Sequence, residues 1–182
     1  TSSMERIGSS AADIGIITAP AHRKDLYTYK ITEARYVLHC RADHPLARRE
    51  SVSLREVCDE VLLLPEKGSL TQRVVAQRLN DYGLRPRRSI KTTTFPVMKE
   101  AILQGVGVGI FLDCSATEES RLVEIPILEM PEPYDTCLVI PRHKLDLRLM
   151  QSFAHLVRDN SQYREPQPPA LRSGFLSTAK AS

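Results

Sequence analysis

The chain has 182 residues, 42% of them hydrophobic, with 25 basic and 22 acidic side chains and a formal net charge of +3. This length and apolar content suit one medium domain or two small lobes around a buried core, and the near balance of charge excludes the basic stripe of a chain that grips nucleic acid by itself. No run approaches the roughly 18 apolar residues of a membrane span, and the first ten residues have no signal-peptide core, so a cytoplasmic protein is expected.

Taken in chain order, the segment before Ala12 reads as a ragged end, and Ala12 to Thr18 is a short apolar run stopped by Pro20, as in a buried strand. Ala34 to Cys40 alternates like a strand and leads into His44-Pro45, a crossing between lobes. Ser53-Leu-Arg-Glu56 is a capping box that opens a short helix to about Cys58. Val61 to Leu64 follows as a buried strand, and after Pro65-Glu-Lys-Gly68 the hydroxyl of Ser69 can cap a helix. Leu70, Val74, Val75 and Leu79 share the apolar face of that helix, and Gly83 stops it.

Arg87 to Thr92 is β-leaning, and Thr93 or Thr94 can cap a helix from Phe95 to Gln104 with Pro96 in its first turn. Val106 to Leu112 alternates glycine with bulky apolar residues, as a buried strand does where a backbone or ligand passes close. Leu122–Ile127 and Thr136–Ile140 are two more strands around the Pro-rich Met130–Pro133. Asp146 can cap a last helix with Leu149, Phe153, Leu156 and Val157 on its apolar side. Residues 161–182 read as a disordered tail. The alternation of strands and helices predicts an α/β fold with mostly parallel sheets.

Two helix starts stand out as candidate binding features. Ser69 and Thr71 at one, and Thr93, Thr94 and Phe95 at the next, offer hydroxyls and free amides at the positive end of a helix dipole, where an anion is favoured. Each alone reads as an ordinary cap. As a pair after parallel strands they point to the carboxyl edge of one sheet, where α/β folds bind ligands. Gly105, Gly107 and Gly109 follow a helix and enter a strand, the reverse of a phosphate-cradling loop.

Cys40, Cys58, Cys114 and Cys137 have no metal or redox spacing and read as buried thiols, so no metal or cofactor is expected. His39 and His143 form no recognised nucleophile motif with these cysteines. The pairs Arg48-Arg49 and Arg87-Arg88 read as solvated faces.

The ordered set Asp13-Ile-Gly-Ile-Ile17, His44-Pro-Leu-Ala47, Glu66-Lys-Gly68 and Gly105-Val-Gly-Val-Gly109 resembles the effector-binding domain of LysR-type bacterial transcription regulators. The resemblance implies a periplasmic-binding-protein-like, two-lobed fold over residues 1–160. It divides these into a partial first lobe at about 9–38 and 118–159 and a complete second lobe at about 41–114, with hinges at His39–Arg41 and Leu112–Ser115. It implies no enzymatic activity and an effector held between the lobes by Ser69, Thr71, Thr93, Thr94 and Phe95. It further implies homodimers or tetramers, and DNA contact only through a winged helix-turn-helix outside this sequence, as are the opening strand and helices of the first lobe. The alternatives are a solute receptor of the same fold and a cysteine-dependent hydrolase.

Overall fold

Leu26–Ala34 is a nine-residue strand that hydropathy alone passes over, because its sequence LYTYKITEA mixes aromatic and β-branched residues with Lys30 and Glu33. The computed structural model describes residues 3–9, 11–113 and 121–161. In chain order the elements are α1 (Ser3–Gly8), β1 (Gly15–Thr18), β2 (Leu26–Ala34), β3 (Tyr36–Arg41), α2 (Leu54–Asp59), β4 (Val61–Pro65), α3 (Leu70–Asp81), β5 (Arg88–Thr92), α4 (Phe95–Leu103), β6 (Val108–Leu112), β7 (Leu122–Pro126), β8 (Tyr134–Pro141) and α5 (Arg148–Asp159).

The strands form two sheets, one of three strands in the order β1-β8-β2 and one of five in the order β5-β4-β6-β3-β7. The α/β expectation holds, but the sheets are not mostly parallel: the three-stranded sheet is antiparallel and the five-stranded one is mixed. Among the described strands the parallel pairs are β4 with β5 and β4 with β6, while β3 runs antiparallel between β6 and β7, and β8 runs antiparallel to both β1 and β2. The antiparallel insertion of β3 also corrects the expected lobes and hinges. His39–Arg41 lies inside the five-stranded sheet, and β7, expected in the first lobe, pairs there with β3. The chain therefore passes between sheets at Ala34–Arg35 and again over 127–133. Of the expected return at Leu112–Ser115, residues 114–120 lie outside the described residues, as does the expected tail beyond Ser161.

The five-stranded sheet is covered on both faces. Leu62 of β4 packs with Val75 and Leu79 of α3 and with Leu54 and Val57 of α2, whereas the next residue, Leu63, packs with Met98 and Ile102 of α4. The alternation of a strand thus sends α3 and α4 to opposite faces. Gly107 is dictated by a backbone: a Cβ there would lie 2.1 Å from the carbonyl oxygen of Val61.

Two further expectations are corrected in the smaller sheet. The segment before Ala12 is not ragged but carries α1, whose Ile7 is 2% exposed and packs with Leu26, Cys137 and Val139. In α5 the cap position is Leu147 rather than Asp146, without a side-chain cap bond. That helix buries Met150 and packs Ala154 and Val157 on Tyr29, Leu138 and Ile140, leaving the expected core residues Leu149, Phe153 and Leu156 at 72%, 38% and 60% exposure.

Candidate functional site

The adjacent parallel strands β4 and β5 end together, with Pro65 opposite Thr92, and the amide of Glu66 donates to the Thr92 carbonyl at 3.1 Å. From Pro65 the chain turns through Glu66–Ser69 into α3 on one face, and from Thr92 it turns through Thr93 and Thr94 into α4 on the other. Neighbouring loops that leave a sheet edge toward opposite faces open a crevice between the strand ends, the usual ligand position of such sheets. Helices α3 and α4 both begin within five residues of these strand ends.

The five candidate residues are brought to this edge, but they do different things. Ser69 is the N-cap of α3, and its hydroxyl accepts from the Gln72 amide at 3.1 Å. Thr71 is buried, and its hydroxyl donates to the Tyr36 hydroxyl at 3.4 Å, so that side chain joins α3 to the start of β3 instead of facing the crevice. Thr93 and Thr94 are exposed. Thr94 holds the N-cap position of α4, yet its side chain makes no cap hydrogen bond, which corrects the capping role expected of it. The first-turn amides of α4 are consequently uncapped by that hydroxyl, and Pro96 has no amide to satisfy. Phe95 is half-buried, with its ring centroid 4.7 Å from that of Phe111 and 5.6 Å from that of His39.

Both connections to the three-stranded sheet leave from this same edge. Tyr36 pairs with Leu112, and Val37 with Pro126, so the start of β3 and the end of β7 lie beside the carboxyl end of β6. Arg35 fastens them: its amide donates to the Asp113 carboxylate at 3.1 Å and its guanidinium to the Pro131 carbonyl at 3.3 Å. Just past the second crossing, Tyr134 meets Tyr36 edge-on at 5.1 Å.

The family model of the LysR substrate-binding domain matches residues 1–162. The chain belongs to that family. Among relatives, the LysR domain here is 29% identical over 174 residues to the HTH-type transcriptional regulator CysL of Bacillus subtilis, covering 95% of this chain and 54% of that protein. It is 23% identical over 144 residues to the RuBisCO operon transcriptional regulator of Allochromatium vinosum, covering 78% of this chain and 48% of that protein. The chain thus spans about half the length of the relatives it matches.

Solved structures of the same fold include the Synechocystis CcmR regulatory domain in complex with 2-PG, with a TM-score of 0.75 at 22% identity over 87% of this chain and 77% of that one. They also include the BenM effector-binding domain with its effector benzoate, with a TM-score of 0.65 at 17% identity over 85% of this chain and 72% of that one. The family is one of effector-binding domains of transcription regulators and not of enzymes.

Sequence reasoning missed the polar groups beneath the site. His39 of β3 is fully buried, with its Nδ1 3.7 Å from the carboxylate of its cross-strand partner Glu124. Neither ring nitrogen of His39, nor Glu124 Oε1, has a hydrogen-bond partner among the described residues. Burial pushes the imidazole down to about 4 and raises the Glu124 carboxyl above its usual range. Only the odd polar residue in an apolar strand could have flagged His39, and nothing local ties it to Glu124, 85 residues on.

Cys40, Cys58 and Cys137 are buried and free, and burial raises each thiol, that of Cys40 to about 11, the opposite of an activated nucleophile. This counts against the hydrolase alternative. A cavity of about 290 Å³ opens at the other end of the sheet, where β4 begins at Val61. Its Arg41 and His44 side chains face their own carboxylates, Asp43 and Glu60.

Proposed function

We propose that this LysR domain senses a small anionic metabolite in the crevice at the carboxyl ends of β4 and β5. In this reading Ser69, Thr93, Thr94 and Phe95 face the effector, and Thr71 positions β3 through Tyr36. The observation that carries the reading is the paired start of α3 and α4 on opposite faces of adjacent parallel strands, with the α4 amides uncapped by Thr94. Such amides and the helix dipole favour a carboxylate or phosphate. The ligands named for the CcmR and BenM domains lend support, benzoate being itself a carboxylate. Because both crossings leave from the same edge, a ligand that also touches the three-stranded sheet would shift the angle between the sheets. In a parent cytoplasmic regulator, paired as a dimer or tetramer and holding DNA through a winged helix-turn-helix, that shift would be the signal.

The test is calorimetric titration of the chain with benzoate, 2-PG and inorganic phosphate, repeated on Ser69→Ala, Thr93→Ala and Thr94→Ala. Loss of about tenfold or more in affinity for one probe in at least two variants is expected, as for a hydrogen bond to a charged group. Probe binding that survives unchanged in all three variants would remove the crevice as the site.

A further inference from the structure

The cavity of about 290 Å³ lies where three connections of the chain meet, at the sheet end opposite the crevice. One runs from the end of β3 through Asp43 and His44, one joins α2 to β4 at Glu60 and Val61, and one joins α4 to β6 through residues 105–107. Its volume is that of a small ligand pocket. Part of the wall is apolar: Ile102 of α4 lines it, as does Val106, which is 43% exposed.

The charges in the wall do not balance. Arg41 donates to both carboxylate oxygens of Asp43, through Nε and, at 2.8 Å, through Nη2, so that pair is neutral. The remaining nitrogen, Nη1, lies against Gly105 at the end of α4, 3.2 Å from where a Cβ would stand. A cation is the favoured sign at a helix C-terminus. The end of α2 is built the other way. Its last turn holds no basic residue, its C-cap is Glu60, and the preceding Asp59 pairs with Arg87, away from the cavity wall.

Among the described residues, no lysine or arginine pairs with Glu60. What faces it is His44, whose Nδ1 accepts from the Leu46 amide at 3.2 Å, so that in this arrangement the ring proton sits on Nε2 and the ring is neutral. His44 Nε2 stands 3.7 Å from Glu60 Oε2, beyond hydrogen-bond length. Glu60 is therefore the uncompensated charge of the cavity, half-buried at a helix end that disfavours its sign. Such a breach of a local rule is expected where a ligand completes the balance.

We propose that this cavity binds a small organic cation, an ammonium group on a short branched apolar body. The ammonium meets Glu60 Oε1, the oxygen that His44 does not face, and the body covers Ile102 and Val106. A metal ion fits less well, since no group of three or more His, Cys, Asp or Glu among the described residues could hold one. An anion would meet the Glu60 carboxylate with like charge. The site stands apart from the effector crevice: α4 begins at one and ends at the other.

The experiment titrates the full chain at fixed ionic strength, followed by amide shifts in two-dimensional NMR. The probes share one branched frame: isoamylamine is a cation, isoamyl alcohol neutral, isovalerate an anion and leucine a zwitterion. Isoamylamine is expected to bind about tenfold or more tighter than the other three, with shifts centred on Val61 and 105–107. Glu60→Gln should bring the amine down to the level of the alcohol, whereas Val106→Ser should weaken amine and alcohol alike. Both substitutions fall on partly exposed side chains and should keep the melting midpoint. The proposal is overturned by equal or tighter binding of the alcohol, isovalerate or leucine, or by amine binding that Glu60→Gln leaves undiminished. Shifts centred at the crevice, or no amine binding at tens of millimolar, would overturn it as well.

Discussion

His39 and Glu124 set opposite demands on one buried spot. Because His39 titrates near 4 when folded and near 6.5 when unfolded, the unfolded chain takes up the proton first as pH falls. Stability is therefore lost between about 6.5 and 4, by at most on the order of 3 kcal/mol. His39→Phe should flatten the melting profile across that window. An unchanged slope would assign it to other groups. Glu124 has a raised carboxyl, so its contribution is present at acid pH and is lost as pH rises through its folded value. Glu124→Gln should consequently raise the melting midpoint at pH 7 and do little at pH 4. Helix starts divide in the same concrete way. Ser69→Ala removes a formed cap and should cost about 1 kcal/mol, whereas Thr94→Ala should cost only a few tenths. The residue types at both starts were legible in the sequence. What was not legible is where a hydroxyl turns, as with Thr71, whose partner Tyr36 is 35 positions away.

Elements were read well where the signal was local. The Ser53–Glu56 capping box forms with both of its reciprocal bonds, and Glu129 adds a third by accepting from the Leu54 amide at 2.9 Å. The face buried by α5 was misread because Leu149, Phe153 and Leu156 repeat with the same helical spacing as Met150, Ala154 and Val157, one residue out of phase. Periodicity identifies such a helix but cannot choose between two apolar stripes. Exposure makes the choice testable by chemical denaturation: Leu149→Lys and Leu156→Lys should leave stability within about 0.5 kcal/mol, whereas Met150→Ala should cost roughly 2 kcal/mol or more. Equal losses in all three would mean that the stripe is covered. Strand β2 and helix α1 went unread because their polar residues mask a two-sided role, which only the packing of Leu26, Tyr29 and Ile7 reveals.

On the scale of the whole molecule, the fold class was legible from the alternation of strands and helices. The sheet order was not, because β3 finds β6 some seventy residues away and no local pattern encodes that meeting. The five-stranded sheet, covered on two faces, should resist hydrogen exchange longer than the three-stranded one; stronger protection over β1 and β2 would contradict this. Since the family match ends at residue 162, truncation after Ser161 should leave the melting midpoint within a degree or two. In the smaller sheet β1 and β2 never touch each other: each pairs with β8, which lies between them. During synthesis both strands leave the ribosome about 100 residues before their shared partner, an interval of roughly 5–20 s at ordinary translation rates. Every strand of the five-stranded sheet is made within that interval. The nascent chain can therefore finish its central body while two strands of its first sheet wait, apolar and unpaired, for the last strand to emerge.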